Sequence, residues 1–316
     1  MEFYLFDKNK KKITYNKILN LDFEKDLYIP CAGFKATLLL NDNFNIENVS
    51  KIKSFLLKIK SDVLYYGVID TACAEFIGQS IILKLKGRDN MAYLLDSEAD
   101  TTTFINAKLS DILKHYCNRF GYDAYSILDN GYYNKLIGTD NSIYDAIKSI
   151  VCDCKGTHFY TINNILCVSK PRDNAKIIQK FSNNASDNMK KFLRLAKYNK
   201  NRAISKIHLV DNKSNKVTLS SPYISNLESK RELYYRVSKI DEDQKNYAMR
   251  IMLSSARESN YFEMDVPDIC PAQLLQKARV RIKESFYDFF IIGLRVLIDN
   301  GKVTTRLKLC KKENII

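Results

Sequence analysis

Glycine, proline and histidine are scarce in this chain of 316 residues, with 10, 5 and 3 copies. So little glycine and proline argues against flexible linkers and low-complexity tails. The histidines, His115, His158 and His208, leave few carriers for general acid–base chemistry. Gly87 and Gly131 stand isolated, and neither G-x-x-x-x-G-K nor G-x-G-x-x-G occurs, which excludes the common phosphate-cradling loops. A G-x-S-x-G elbow and an H-E-x-x-H helix are also missing. No uncharged apolar run approaches the ~20 residues of a membrane span. The most apolar stretch, 288–299, is short and carries Arg295. Lys8, Lys10, Lys11 and Lys12 follow the first apolar residues, the reverse of the charge order in a secretion signal.

What is present is a globular composition, 46% hydrophobic and 27% charged. The length suits two or three domains. A net charge of +14 fits a nucleic acid, an anionic surface or an acidic partner. Abundant Lys, Asn, Ile and Tyr together also fit plain coding bias, and a nucleic-acid binder usually concentrates its charge. The eight cysteines, Cys31, Cys73, Cys117, Cys167 and Cys310 among them, sit mostly in apolar patterns, so reduced core thiols of a cytosolic product are expected.

The first third reads as strands: 2–7, 13–15, 26–40 broken at Pro30 and Gly33, 54–60, 63–77 and 80–86. Ile81, Leu83 and Leu85 share one face of the last, the period-2 signal of a half-buried strand. A sharp Gly87-Arg88-Asp89 corner and a short helical start follow. The middle changes period. Leu109, Ile112, Leu113, Tyr116, Cys117 and Phe120 form a helical stripe stopped by Gly121. A second helix starts at Ser142, with Asp145 as its capping partner, and carries Ile143, Ala146, Ile147, Ile150 and Val151. A hairpin over 157–170 closes this α+β segment. From 171 to 201 a basic connector is expected. Strands return at 205–211, 216–220 and 232–240. A helix is expected over 242–259, a strand over 261–266, and a helix from Pro271 to about Lys283. Asn300-Gly301 then marks the strongest hairpin, between 289–298 and 302–310.

Residue patterns that could carry chemistry are few. His115 reads as a solvated helix residue. Cys152, Cys154, His158 and Cys167 are four soft ligands, but Cys-x-Cys is tighter than zinc spacing and would point about 200° apart on a helix. Helix packing and the hairpin account for them, so no metal, cofactor or catalytic residue is assigned. Residues 189–206 hold seven basic and no acidic side chains, and Lys190, Arg194 and Lys197 would stack if helical. This is either a solvated connector or a patch for phosphate or an acidic protein. The pairs Tyr65-Tyr66, Tyr132-Tyr133 and Tyr234-Tyr235 put one ring in the core and one outside in a strand. The outer rings suit either an interface or composition bias.

Several stretches in order resemble the baseplate hub proteins of contractile phage tails, the Mu-like and late-control-gene-D-like family. They are GVIDTACAEFIG, ILKLKGRDNMAYLLDSEA, AKLSDILKHYCNRFGYD, SIYDAIKSIVCDCKGTHFYTINNILCVSK, SKIHLV, YYRVSKIDEDQKNYAMRIMLSSARES and LIDNGKVTTRLKL. The helix read over 268–283 departs from the strand pair the family would have there. The resemblance implies an α+β, mainly β fold: two tail-tube-like β-barrel domains with an α/β insert between them. The expected divisions are a first barrel over 1–97, an insert over 98–172, and a basic connector with the second tube-like domain over 173–316. It implies a non-enzymatic homotrimer that joins a hexameric tail tube ring to a trimeric central spike. Other baseplate and tube-initiator proteins would be neighbours, with no membrane contact and at most transient DNA contact through the channel. Assembly would occur in the bacterial cytoplasm, and the product would sit in a virion baseplate or a tail-like particle. Candidate ring-forming residues are Ile81, Leu83, Leu85, Gly87, Arg88, Asp89, Val303, Thr305 and Leu307. The competing readings are a cell-wall-degrading tail enzyme and a basic nucleic-acid-binding module.

Overall fold

The computed structural model describes residues 2–315 apart from 16, 42–43, 60–61, 123, 128–130, 139–140, 152–156, 163, 173, 185–186, 200–202, 223–230 and 257–258. The first strands are β1 (Glu2–Asp7), β2 (Lys12–Ile13), β3 (Lys17–Asp26), β4 (Gly33–Leu39), β5 (Ile52–Ile59), β6 (Asp62–Ile77) and β7 (Ser80–Asp89). Helix α1 (Met91–Leu95) leads to β8 (Thr102–Lys108), α2 (Leu109–Cys117), β9 (Ala124–Ile127), β10 (Tyr132–Ile137), α3 (Ile143–Val151), β11 (His158–Ile162) and β12 (Ile165–Ser169). Next come β13 (Ile177–Phe181), β14 (Arg194–Asn199), β15 (Lys206–Asp211), β16 (Lys216–Ser220), β17 (Glu232–Val237) and α4 (Glu242–Ala256). The chain closes with β18 (Asn260–Pro267), β19 (Lys277–Ile282), β20 (Ser285–Asp299) and β21 (Lys302–Cys310).

The fold is mainly β with α+β segments, and one sheet of 13 strands dominates it, in the order β14-β18-β21-β20-β3-β4-β7-β6-β5-β1-β2, with β19 and β13 branching from β20. Among the described residues no strand pair closes this sheet into a barrel. Its two ends of the chain meet at β3 and β20, which pair antiparallel from Gly293 opposite Asp26 to Asp299 opposite Asn20. One core therefore holds both, with Phe23, Phe34 and Phe55 from the early strands and Phe181, Phe289 and Leu307 from the late ones.

The sheet contains the same strand order twice. In the first set the neighbours run β3-β4-β7-β6-β5-β1, and in the second β14-β18-β21-β20-β19-β13. Taken in chain order, each strand of one set has its counterpart in the other. Directions agree throughout except that β1 and β5 are antiparallel while β13 and β19 are parallel. The long hairpins match in detail. β6 and β7 have 16 and 10 residues, β20 and β21 have 15 and 9. Each carries a bulge at mid-strand, between Ile69 and Thr71 in one and between Ile291 and Gly293 in the other. A bulge bends a strand and strengthens its twist, so the two long hairpins bend at the same place.

The polar face of the junction is a charge row. Glu24, Arg295, Arg306, Asp265 and Arg194 lie opposite one another across five strands. Arg295 and Arg306 are neighbours of like sign, and each is held by a carboxylate: Arg295 by Asp22 at 2.8 and 2.7 Å, Arg306 by Asp265 at 2.7 and 3.3 Å.

The middle segment has its own core. Leu109, Ile112, Leu113, Tyr116 and Cys117 from α2 meet Ile143, Ala146, Ile147 and Val151 from α3, the stripes expected from the sequence. The Asp145 amide donates to Ser142 Oγ at 3.1 Å, and that hydroxyl donates to the Asp145 carboxylate at 2.7 Å. Gly121 takes a φ of 68°, as a helix stop requires. β11 and β12 form the expected hairpin, with β9 parallel to β12.

Several expectations are corrected. β3 was hidden, because Asp22, Glu24, Lys25 and Asp26 mask the alternation of Leu21 and Phe23. The Gly-Arg-Asp segment continues β7 instead of turning a corner. The basic connector contains β13 and β14, so Arg194 and Lys197 lie on a strand and do not stack along a helix. The expected 271–283 helix is strand β19, where Ala278 and Val280 are buried at period 2. The turn before it is tied to β21: the Cys270 amide donates to Thr305 Oγ1 at 2.9 Å, which donates to the Asp268 carbonyl at 2.8 Å. Between α4 and the last hairpin the chain thus holds two strands, the expected β18 and the missed β19, which pair with β21 and β20 and not with each other. Finally, β15, β16, β17 and α4 form a separate small α/β unit with Ile207, Leu209, Ala248 and Met252 at its centre.

Candidate assembly interface

The expected ring-forming residues fall on two counterpart strands. β7 lies between β4 and β6, and β21 lies between β18 and β20, so both edges of each strand are already paired. Leu83, Leu85, Gly87, Asp89, Thr305 and Leu307 are buried within the chain, while Ile81, Arg88 and Val303 are half-buried. Most of these side chains therefore build the subunit itself. What a second molecule can reach on these strands is the opposite face, with Lys84 and Lys86 on β7 and Arg306 and Lys308 on β21.

Gly87, Arg88 and Asp89 each have a definite task. A Cβ on Gly87 would lie 2.3 Å from the Val68 carbonyl oxygen and 2.5 Å from Phe34 Cε1, so only glycine fits between β4 and β6. Arg88 clamps Asp70 at 2.8 Å through both nitrogens and Asp96 at 3.0 and 2.6 Å. This fork holds the Asp96 carboxyl below its ordinary range. Asp89 faces inward. Its carboxylate accepts from Lys25 Nζ at 2.9 Å, Thr161 Oγ1 at 2.9 Å, the Met91 amide at 3.1 Å and the Cys31 thiol at 2.9 Å. The Lys25 and Asp89 side chains are 7% and 4% exposed, and Lys25 also donates to the Thr161 carbonyl and hydroxyl. One buried cluster thus ties β3, β7 and α1 to the β11 hairpin of the middle segment. Burial beside the Asp89 carboxylate drives the Cys31 thiol pKa up.

Open edges lie elsewhere. Among the described residues β14 ends the sheet and pairs only with β18. β5 leaves β6 at Val68, so Thr71–Ile77 has a strand partner on one side only among the described residues. At the end of that free edge Phe76 and Ile77 are 66% and 55% exposed, and Cys73 is exposed although its pattern suggested a core thiol. The sequence did carry a signal here: Phe76-Ile77-Gly78 places two large apolar residues at a hairpin tip.

The remaining candidates resolve as follows. His115 is exposed, lies 3.2 Å from Asp100 and sits edge-on to Tyr116. His158 and Cys167 are buried, and Cys152 and Cys154 lie outside the described residues. Among the described residues no group of three His, Cys, Asp or Glu could hold a metal. Tyr65 is buried and Tyr66 half-buried. Tyr132 and Tyr234 are 61% and 65% exposed, while Tyr133 and Tyr235 pack on their cores. One relay-like group went unnoticed in the sequence. His208 Nδ1 is 2.8 Å from Thr218 Oγ1 and Nε2 is 2.9 Å from Glu232, with Tyr234 stacked on the ring. It lies across β15, β16 and β17 on the sheet face away from α4. Cavities of about 400 Å³ (Asp7, Lys11, Asn41 and Lys51) and about 310 Å³ (Tyr160, Arg172 and Leu274) contain none of the three. No helix among the described residues is long and apolar enough to cross a membrane.

No protein-family model matches the sequence, and no curated protein sequence does. Solved structures do. A tail protein from Neisseria meningitidis MC58 is similar with a TM-score of 0.74 at 16% identity, over 99% of this chain and 98% of that one. The 43 kDa tail protein of prophage MuSo2 from Shewanella oneidensis gives 0.76 at 14% identity, over the full length of both. An E. coli component of the type VI secretion system, described as similar to the T4 tail proteins gp27 and gp5, gives 0.62 at 9% identity over 98% of this chain and 77% of that one. The chain has the fold of these tail proteins.

Proposed function

We propose that this protein is the structural hub of a contractile phage tail baseplate or of a tail-like bacteriocin, joining a hexameric tail tube to a trimeric central spike. The observation that carries this reading is the doubled strand order, six strands repeated with the same neighbours and matching bulges. Three chains, each with two such tube-like units, offer six similar modules, so a sixfold ring can stack on a threefold spike without a symmetry clash. Full-length similarity to tail proteins supports the same reading.

In this reading residues 1–97 form the first tube-like unit, 98–172 the insert and 173–316 the second unit. The separate core of the insert supports the middle division, beginning slightly earlier, at Met91. The chain works by shape and carries out no bond chemistry. Its partners are two further copies, the tube ring, the spike and neighbouring baseplate and tube-initiator proteins. DNA passes at most transiently through the channel. Assembly takes place in the bacterial cytoplasm. Subunit interfaces of this obligate kind bury on the order of 2,000 Å² or more.

Electron microscopy of the purified assembly tests the proposal. The expected particle is a ring of six similar lobes around an opening, with the inserts at every second position. A compact particle without an opening contradicts it, and so does robust turnover of peptidoglycan by the purified chain.

A further inference from the structure

The two strand sets are joined inside the chain by one junction, β3 of the first against β20 of the second. The counterparts of these strands are β14 and β6, and among the described residues each has an edge with no strand paired to it. Past its bulge β20 runs Gly293–Asp299, the stretch that β3 covers. Past its bulge β6 runs Thr71–Ile77, the stretch without a second strand partner among the described residues, although the 3-10 turn Ile46–Lys51 packs near β6. Both stretches have seven residues and end at a hairpin turn.

The exposures differ as this predicts. Leu294, Val296 and Ile298 in β20 are 2%, 0% and 8% exposed beneath β3, whereas Phe76, the counterpart of Ile298, is 66% exposed. On the other side, Leu21 in β3 lies beside Ala36, Leu85 and Ala72 across the sheet. Leu195 in β14 lies beside Met264, Leu307 and Leu294 in the same way. Leu21 is 2% exposed, and Leu195 is only half-buried.

We propose that the outer edge of β6 pairs antiparallel with β14 of a second copy of this chain, in the register of the β3–β20 junction, so that the internal joint repeats between subunits. This rests on the hub reading and names the contact within it. Ile298 lies opposite Leu21 in the internal joint, which places Phe76 opposite Leu195 of the second copy. Arg295 lies opposite Glu24, which places Cys73 opposite Tyr198. The contact is head to tail and closes into a ring at the threefold rotation of the hub reading, hiding two edges that would otherwise template aggregation.

The register can be read chemically. Cys73 is the exposed thiol among the described cysteines, and residues directly opposite in antiparallel strands stand about 4.5–5.5 Å apart, within disulfide range. The full chain with Tyr198→Cys, under mild oxidation, is expected to give covalently closed oligomers on a non-reducing gel, and adding Cys73→Ser abolishes them. Phe76→Glu is expected to dissociate the oligomer to monomer while leaving the far-UV spectrum unchanged, since Phe76 is 66% exposed in the single chain. An oligomer of unchanged mass that neither cross-links through position 198 nor responds to Phe76→Glu overturns this contact and leaves the hub reading standing. A wild-type chain that stays monomeric overturns both.

Discussion

Removing the Asp89 carboxylate would leave Lys25 buried with its ammonium uncompensated, alongside orphaned donors on Thr161 and the Met91 amide. Breaking a buried pair from one side typically costs about 3–5 kcal/mol. Asp89→Ala should lower unfolding free energy by roughly that much in a denaturant titration, and adding Lys25→Met should recover a large part of it. A loss near zero would mean that water reaches the pair. Gly87→Ala should cost about 1–3 kcal/mol, because its Cβ meets the Val68 backbone at 2.3 Å, which cannot yield without parting the strands. The Gly-Arg-Asp run was visible in the sequence as a signature. Its task was not, because Lys25 and Thr161 lie 64 and 72 positions away from Asp89.

Elements whose apolar residues follow one period were legible: α2, α3, the β11–β12 hairpin and the β20–β21 hairpin. Ser142→Ala should cost about 1 kcal/mol, measured by thermal melting, since the reciprocal cap at α3 is present as the sequence suggested. Unchanged stability would show that packing alone fixes that helix end. The illegible elements share a physical cause. β3 is crowded with charge on the face that meets Arg295, β14 carries Arg194 and Lys197 on opposite faces, and such charge reads as loop until its partners on other strands are known. β19 follows a proline that also suits a helix start, and only the tie from Cys270 to Thr305 shows that the chain is extended there. The interface residues expected on β7 and β21 had the right pattern for strands. An alternating pattern marks a buried face without saying whether the same chain or another one buries it.

At the scale of the molecule, ion pairs lace the sheet faces and respond to acid together. Asp96 beside Arg88 and Asp288 beside Arg279 both titrate below the ordinary value of 3.8. A depressed carboxyl contributes stability in full above its unfolded pKa and loses it as pH falls through the folded one. Stability should therefore be flat above about pH 5 and fall steeply below 3.8, as followed by melting temperature. A decline beginning near neutral pH would contradict this account. The duplication was legible only as far as the counterparts Ile81 and Val303, Leu83 and Thr305, and Leu85 and Leu307. The matching bulges and the shared β3–β20 joint depend on pairings that no stretch of sequence displays. The central claim, that three doubled subunits make a sixfold collar, is tested most directly by the mass of the purified chain in native buffer. The hub reading predicts one species at three times the 36.6 kDa chain, and a monodisperse monomer at high concentration would contradict it.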